Sequence, residues 1–276
     1  MAALISLAFL KAKLEKRPAL VSYIVAGDNN KKLTLNILKS ISQYIDILEV
    51  GIAHNTAVAD GVQIQNSSYR ALQGGIKVKD VFEIVKQFKK IKKNKPIILM
   101  GYYNQVLQYG ENYFLQKCKN SGVDGIILVD LPFPENKSFA DKCKKLSITF
   151  IQLIAPTTST VRMKQIIKNS QDMIYYISML STTGGKLKVS AKSILNNYLK
   201  IKKIDPKKNI VIGFGITTKT IASLKKADGL VVGSLLCKSI SQSLAKKRNP
   251  LIQLNKIVRT LRNKIQWTGL KKNLKN

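Results

Sequence analysis

Short runs of apolar and β-branched residues alternate along the chain with longer segments whose apolar residues recur at helical spacing. The short runs predict strands over residues 19–25, 45–50, 97–100, 125–129, 149–153, 173–177, 210–214 and 229–232. The longer segments predict helices over residues 31–42, 78–90, 111–120, 134–145, 160–168, 191–202, 218–225 and about 250–263, and residues 1–10 predict an additional first helix. Eight strands, each followed by a helix, are the count of a (β/α)8 TIM barrel, here with an extra N-terminal helix.

An open, doubly wound sheet could hold the same eight parallel strands. The barrel is favoured because glycines or polar residues follow the carboxyl end of nearly every predicted strand, and a barrel brings all of these ends around one mouth. The segments concerned are Gly27-Asp28, Gly51, Gly101-Tyr-Tyr-Asn104, Asp130-Leu-Pro132, Gly213-Phe-Gly215 and Gly233-Ser234. We predict a single barrel domain over residues 1–267 and a frayed basic tail over residues 268–276.

The composition fits a globular protein and excludes several classes. The 276 residues are 45% apolar, which suffices for a sizeable core, and no apolar run reaches the roughly 18 residues of a membrane span. The cysteines Cys118, Cys143 and Cys237 are far apart, and with His54 as the single histidine they predict no metal site. A reducing compartment fits this cysteine usage, so we expect a cytoplasmic protein.

The net charge of +32 raises the question of a nucleic-acid partner. Only six of the 47 basic residues are arginine, and the lysines lie in pairs on nearly every predicted helix. Surfaces that bind phosphates or read bases favour clustered arginine with aromatic residues between them. The pattern therefore favours a solvated, lysine-rich surface without a specific nucleic-acid partner.

Two of the 15 acidic residues stand out by their position. Glu49 lies inside an apolar strand that ends at Gly51, and Asp60 follows on a loop between Ala59 and Gly61. Desolvation among aliphatic residues raises the pKa of a carboxylate, whereas a loop carboxylate stays ionised more readily. Such a pair can both donate and accept protons. The structural alternatives are a helix cap for Asp60 and an ion pair with a core lysine for Glu49.

Glycines follow the last predicted strands at three places, namely Thr183-Gly-Gly185, Gly213-Phe-Gly215 and Gly233-Ser234. Glycine lets backbone N–H groups approach an anion closely, and a helix that starts after such a loop adds a favourable dipole. In barrels, the loops after strands seven and eight frequently bind phosphate. We therefore predict a phosphate site here, with tight barrel turns as the structural alternative.

Four other residues near strand ends have less specific interpretations. Tyr102 and Tyr175 either line an aromatic ligand site or fill the barrel mouth. Asp130 is interpreted as an acceptor of backbone N–H groups in a loop, and His54 as a residue of a loop surface. None of the four is assigned a catalytic role from the sequence pattern.

The motifs just described belong to a series that runs in order from about residue 18 to residue 237. The series comprises Leu48-Glu-Val-Gly51, Ala59-Asp-Gly61 with Ile64-Gln65, Met100-Gly-Tyr-Tyr-Asn104, Gly122-Val-Asp-Gly125, Val129-Asp-Leu-Pro132, Ala155-Pro-Thr-Thr158, Gly213-Phe-Gly-Ile216 and Gly233-Ser234. It resembles the tryptophan synthase alpha subunit over most of the chain. The resemblance implies a (β/α)8 barrel that cleaves indole-3-glycerol phosphate into indole and glyceraldehyde 3-phosphate, a retro-aldol lyase step of tryptophan biosynthesis without a cofactor in this subunit.

The resemblance also implies roles for individual residues. Glu49 is implied to be the proton shuttle, and Asp60 to hold the indole N–H and stabilise positive charge on the ring. The residues implied to bind the phosphate are Gly184, Gly215, Gly233 and Ser234, and those implied to enclose the indole are Tyr23, Tyr175 and Phe214. The implied partner is a beta subunit that carries pyridoxal phosphate, in a heterotetramer of two alpha and two beta subunits.

Residues 53–57 depart from the family pattern, since Ala-His-Asn-Thr-Ala stands where the family usually has Pro-Phe-Ser-Asp-Pro. Prolines usual in the family are also replaced by Asn29 and Val62, and residues 180–183 lack a usual glycine. Each lost proline raises the entropic cost of ordering its loop by about 0.4–1 kcal/mol. Two alternatives therefore accompany the enzyme hypothesis: a catalytically weak subunit that mainly activates the beta subunit, and another phosphate-binding barrel enzyme.

Overall fold

The computed structural model describes residues 3–178, 190–213 and 215–266 of the chain. Its centre is one parallel sheet with the strand order β5-β4-β3-β2-β1-β9-β8-β7-β6. The strands are β1 (Ala19–Val25), β2 (Ile47–Gly51), β3 (Ile97–Gly101), β4 (Gly125–Leu128), β5 (Thr149–Phe150), β6 (Gln152–Ile154), β7 (Met173–Ile177), β8 (Asn209–Gly213) and β9 (Gly229–Val232). β5 and β6 form the two edges of the sheet, yet only Ile151 separates them along the chain. They are two halves of one interrupted strand, and the sheet nearly closes into an eight-stranded barrel.

Helices follow the strands and surround the barrel. They are α1 (Leu4–Leu14), α2 (Lys31–Ile41), α3 (Val62–Gln73), α4 (Val78–Ile91), α5 (Tyr103–Tyr109), α6 (Glu111–Ser121), α7 (Lys137–Lys145), α8 (Thr160–Asn169), α9 (Ala191–Ile204), α10 (Ser234–Ala245) and α11 (Pro250–Ile265), with a 3-10 turn at Ile221–Leu224. The predicted (β/α)8 barrel with an extra N-terminal helix is confirmed. Within the described ranges, none of these helices is both long enough and apolar enough to span a membrane.

The helices α3 and α5 fall where the sequence pattern predicted no helix. The buried positions of α3 are Ile64, Ser67, Ser68 and Ala71, which have full helical spacing but include two polar residues. α5 has seven residues and buries only Val106, so it is too short to show a period. Hydrophobic periodicity therefore missed both helices. Residues 218–225 were predicted as a helix and form only the short 3-10 turn.

Apolar side chains fill two layers, one between the sheet and the helices and one inside the barrel. On β1, Leu20 and Ile24 belong to the outer layer, whereas Val21 and Tyr23 belong to the inner one. This alternation is the period-2 geometry of a strand. Because the inner layer includes residues from every side of the barrel, the barrel axis is a packed core rather than a channel.

The two ends of the barrel differ. At the end where the strands begin, Ile5 and Phe9 of α1 join the inner layer and pack beside Gly125 and Gly229, the first residues of β4 and β9. The other end is the mouth, formed by the loops that follow the strands. The predicted site residues that the structure describes lie either on these loops and the helix start that follows, or within the strands that lead to them, as Tyr23, Glu49 and Tyr175 do.

Candidate active site

Glu49 takes an interior position of the barrel at the middle of β2. It pairs in register with Tyr23 of β1 and Ile98 of β3. Its side chain is fully buried, and among the described residues neither carboxylate oxygen has a hydrogen-bond partner. Burial, together with the charge of Asp60, raises the pKa of Glu49 to about 8. Glu49 is therefore mostly a neutral acid at pH 7.

Two other buried carboxylates of this chain, those of Asp28 and Asp46, are paired with arginine. Asp28 accepts two hydrogen bonds from Arg70, at 2.8 and 2.9 Å, and Asp46 accepts two from Arg17, at 2.6 and 2.9 Å. A buried carboxylate without such a partner costs several kcal/mol of folding free energy in its charged form, as an order of magnitude. The ion pair kept as an alternative for Glu49 is absent from the described residues. The buried Glu49 therefore lowers the folding stability of the protein. A residue kept in such a position indicates a catalytic role.

Asp60 lies on the loop between β2 and α3, one residue before the N-cap Gly61. The hydroxyl of Tyr102 donates a hydrogen bond to Asp60 Oδ2 at 3.3 Å and accepts one from the Ala59 N–H at 3.1 Å. Burial raises the pKa of Asp60 to about 6, and the Tyr102 hydrogen bond acts in the opposite direction. Asp60 therefore ionises before Glu49, the order that the sequence surroundings predicted.

Tyr23 and Tyr175 are buried at the mouth beside glycines. A β-carbon added at Gly51 would lie 2.2 Å from the Tyr23 hydroxyl oxygen, and one added at Gly213 would lie 2.2 Å from the Tyr175 ring. Burial raises the pKa of both phenols well above the usual value, and the charges of the two site carboxylates raise it further. Both rings therefore share one environment with Glu49 and Asp60.

The predicted phosphate loops also converge on this region. Gly233 is the N-cap of α10 and Ser234 is its first residue. Gly215, after β8, adopts a φ of +71°, a conformation that favours glycine. A β-carbon added at Gly61 would have Ser234 Oγ as its nearest neighbour, at 4.0 Å. The amino-terminal ends of α10 and α3 therefore meet beside Asp60, and helix amino-terminal N–H groups attract anions.

Two predicted site residues, Gly184 and Phe214, lie outside the described residues, as do residues 180–183. The structure brings the others together at the mouth, namely Tyr23, Glu49, Asp60, Tyr175, Gly215, Gly233 and Ser234. Their individual roles remain predictions. In the described ranges, no three His, Cys, Asp or Glu side chains are grouped so that they could hold a metal ion.

Several sequence interpretations are refined by the contacts. Asp60 makes no side-chain cap to α3, so its structural alternative fails. Asp130 accepts the Tyr103 N–H at 2.7 Å, which confirms its interpretation as a backbone acceptor. His54, interpreted as a surface residue, is half-buried against Tyr102. The hydrogen bond of Tyr102 to Asp60 was missed because the two residues are 42 positions apart.

Fold and site together define a (β/α)8-barrel protein with two coupled carboxylates beside glycine-rich loops at its mouth. The family described as Tryptophan synthase alpha chain matches residues 9–266. The chain belongs to this family, so the resemblance seen in the sequence motifs is confirmed. The family function is cleavage of indole-3-glycerol phosphate, a lyase reaction of tryptophan biosynthesis.

Individual relatives cover nearly the whole chain. The tryptophan synthase alpha chain of Pelagibacter ubique (strain HTCC1062) is 67% identical over 262 residues, which span 95% of this chain and 99% of the relative. A crystal structure of the alpha chain from Legionella pneumophila superposes with a TM-score of 0.89 at 33% identity, covering 98% of this chain and all of the other. A structure of the tryptophan synthase a2b2 complex from Pyrococcus furiosus gives a TM-score of 0.80 at 37% identity, covering 88% and 97%.

Proposed function

We propose that this chain cleaves indole-3-glycerol phosphate at the barrel mouth, with Glu49 and Asp60 as its catalytic residues. The observation that carries the proposal is Glu49, a fully buried acid without a hydrogen-bond partner among the described residues. It lies close enough to Asp60 for the charge of one to raise the pKa of the other. Two carboxylates whose pKa values differ can divide proton donation and charge stabilisation between them.

The proposed reaction begins when Glu49 donates its proton to the ring carbon that carries the glycerol phosphate chain. The ring becomes cationic, and ionised Asp60 accepts the indole N–H and stabilises the positive charge. The Glu49 carboxylate then takes the proton of the hydroxyl on the adjacent chain carbon. The carbon–carbon bond breaks, its electron pair returns to the ring, and an aldehyde forms. Glu49 ends the cycle protonated, so the step is balanced without a cofactor in this chain.

Substrate binding is proposed to use both ends of the ligand. The phosphate would lie at Gly215, Gly233 and Ser234, with Gly184 as a further residue of the loop after β7. The indole ring would lie among Tyr23, Tyr175 and Phe214. The phosphate is remote from the reacting carbon, so its binding energy can fix the ring against Glu49 and Asp60 without taking part in the chemistry.

The proposed partner is a tryptophan synthase beta subunit, which would carry the pyridoxal phosphate, in a heterotetramer of two alpha and two beta subunits. The a2b2 complex described for the Pyrococcus furiosus relative supports this assembly. Apolar side chains are exposed at the mouth, on the loop that carries Asp60 and on α5, with Val58 78% and Leu107 51% exposed. A partner that covers the mouth would bury them.

We also propose a cytoplasmic location. Cys118, Cys143 and Cys237 are free and buried. Thiols that stay unpaired are typical of proteins in a reducing compartment. The proposed substrate is a phosphorylated metabolite, which fits the same compartment.

The deciding experiment measures release of indole from indole-3-glycerol phosphate by the purified chain, alone and with the beta subunit. Glu49→Gln keeps the size of the side chain but cannot donate or accept the proton. We expect it to lower kcat by about 10²- to 10⁴-fold. Glu135→Gln makes the same chemical change at an exposed position of the mouth and should retain wild-type activity.

Two outcomes would contradict the proposal in different ways. Undiminished cleavage by Glu49→Gln would exclude Glu49 as the proton shuttle and favour another chemistry at the same barrel mouth. A wild-type chain inactive both alone and in the complex would favour the subunit that mainly activates its partner. The altered sequence of residues 53–57 is the observation that favours this second function, activation of the partner.

A further inference from the structure

The loop that carries Asp60 is held by the segment that follows β3. The side-chain amide of Gln105 donates a hydrogen bond to the Ala53 carbonyl at 2.8 Å. The hydroxyl of Tyr102 contacts the other end of the loop, at Ala59 and Asp60. Gln105 and Tyr102 therefore hold the two ends of the loop, although its residues 53–57 differ from the usual family sequence.

His54, which belongs to the loop, also contacts Tyr102. Its ring stacks on the Tyr102 ring with a centroid separation of 4.5 Å and an interplanar angle of 28°. Its Nδ1 accepts a hydrogen bond from the Thr56 N–H at 3.0 Å. Because Nδ1 accepts, the neutral ring carries its proton on Nε2. The histidine thus fixes its own loop at Thr56 and covers one face of Tyr102.

Tyr102 in turn fixes Asp60. Its single hydroxyl is both acceptor, from the Ala59 N–H, and donor, to Asp60 Oδ2. These two bonds join the carboxylate and the preceding backbone to one rigid ring. The hydrogen bond to the carboxylate also favours its ionised form, which lowers the pKa of Asp60 against the effect of burial.

We propose that His54 and Tyr102 are positioning residues for the reaction, which hold Asp60 ionised and in place to receive the indole N–H. The inference rests on the proposed function, in which Asp60 stabilises the cationic ring. Neither side chain need touch substrate. The pair would replace, with a stacked ring and three hydrogen bonds, part of the order that prolines give this loop in other family members.

The first test removes only the Tyr102 hydroxyl. Tyr102→Phe keeps the ring and its stack but leaves Asp60 without its donor. We expect kcat/KM to fall about tenfold and the acidic limb of its pH profile to move up by about half a pH unit or more, because Asp60 then ionises at higher pH. Tyr69→Phe, at an exposed position of α3, is the matched control and should change neither quantity.

The second test separates the two contributions of His54. His54→Phe keeps an aromatic ring for the stack and loses only the acceptor for Thr56, whereas His54→Ala loses both. We expect activity in the order wild type, His54→Phe, His54→Ala, with the last near the level of Tyr102→Phe and with the same move of the acidic limb. Wild-type kcat/KM and an unmoved acidic limb in His54→Ala would overturn the role of His54.

A spectroscopic measurement tests the stack in the unmodified protein. His54 is the only histidine of the chain, so its Cε1 proton gives a single resonance that needs no assignment. We expect this resonance upfield of its position in the unfolded chain, because the Tyr102 ring lies against it, and we expect Tyr102→Leu to move it back. An identical position in the folded wild type, in Tyr102→Leu and in the unfolded chain would exclude the stack.

Asp60→Asn, assayed in parallel, separates this inference from the function on which it rests. Full activity of Asp60→Asn would remove Asp60 from the reaction, and the proposed function would fail. Strong loss of activity in Asp60→Asn, with Tyr102→Phe and His54→Ala both like wild type in kcat/KM and pH profile, would leave the function standing and overturn the positioning role alone.

Discussion

At Glu49 the requirements of catalysis and of folding oppose each other. Its pKa is about 8 in the folded protein, against an ordinary value of 4.5. Between these pH values the unfolded chain has released a proton that the folded protein still holds. Stability therefore falls as pH rises through this window, and the loss is complete only above the folded pKa.

Replacing Glu49 by Gln should remove this dependence. We expect the free energy of unfolding of Glu49→Gln, relative to that of the wild type, to increase by about 1.4 kcal/mol for each unit by which the pH rises between about pH 5 and pH 7.5. Activity should be lost in the same variant. Urea denaturation at several pH values measures the difference. Parallel pH dependences of the two proteins would show that Glu49 is not a neutral buried acid.

The two site carboxylates also set the pH dependence of the reaction. The proposed mechanism needs Asp60 ionised and Glu49 protonated, so kcat/KM should be bell-shaped with limbs near pH 6 and pH 8. The two groups interact, so the limbs belong to the pair. Steady-state kinetics across pH 5–9 measure the profile, and a kcat/KM that still rises between pH 8 and pH 9 would contradict a protonated Glu49.

At the level of elements, one guanidinium joins three parts of the mouth. Arg70 on α3 binds the buried Asp28, which follows β1, through two parallel hydrogen bonds. It also donates to Ser241 on α10, at 3.2 Å, and to Ser67 on its own helix, at 3.0 Å. This contact fixes α3 and α10 relative to each other. Because both helices begin beside the predicted phosphate site, the contact also fixes the geometry of that site.

Arg70→Met should leave the Asp28 carboxylate buried without its partner. We expect a loss of about 3 kcal/mol in the free energy of unfolding, since breaking a buried pair from one side leaves an uncompensated charge. Arg70→Lys should lie between, because an ammonium cannot form the two parallel bonds. Urea denaturation measures both changes, and Arg259→Met on the exposed face of α11 is the control. A change within about 0.5 kcal/mol for Arg70→Met would contradict the role of the pair.

At the scale of the whole molecule, the net charge of +32 is the dominant electrostatic property. Positive charges on a compact surface repel one another, and the unfolded chain separates them. Salt shortens the range of this repulsion, from about 30 Å at 0.01 M to about 10 Å at 0.1 M. The folded protein should therefore gain stability from salt over this range.

We expect the midpoint of thermal unfolding to rise by several degrees between 10 and 100 mM sodium chloride, as an order of magnitude. Differential scanning calorimetry measures it, and a neutral solute at matched osmolality controls for effects other than screening. A midpoint that falls or stays constant would show that repulsion among the lysines does not limit stability. Association with nucleic acid should be weak and should vanish over the same range.

The sequence by itself determined the barrel and the candidate chemistry. Each strand is a short β-branched run between helical segments, and this alternation leaves few chain topologies for a parallel sheet. Glu49 in an apolar run and glycines after the last strands are local signals, since each is costly or unusual at its own position. These signals can be recognised in the sequence without knowing which residues surround them in the fold.

Only the tertiary structure decided what surrounds those residues. Residues far away in the chain decide whether Glu49 has a hydrogen-bond partner. They also decide how strongly Asp60 is buried and which side chain holds Asp60 in place. Tyr102 reaches Asp60, and Arg70 reaches Asp28, across 42 positions in each case. A pKa and an ion pair are set by the local dielectric and by distances of a few ångström, and folding alone creates both.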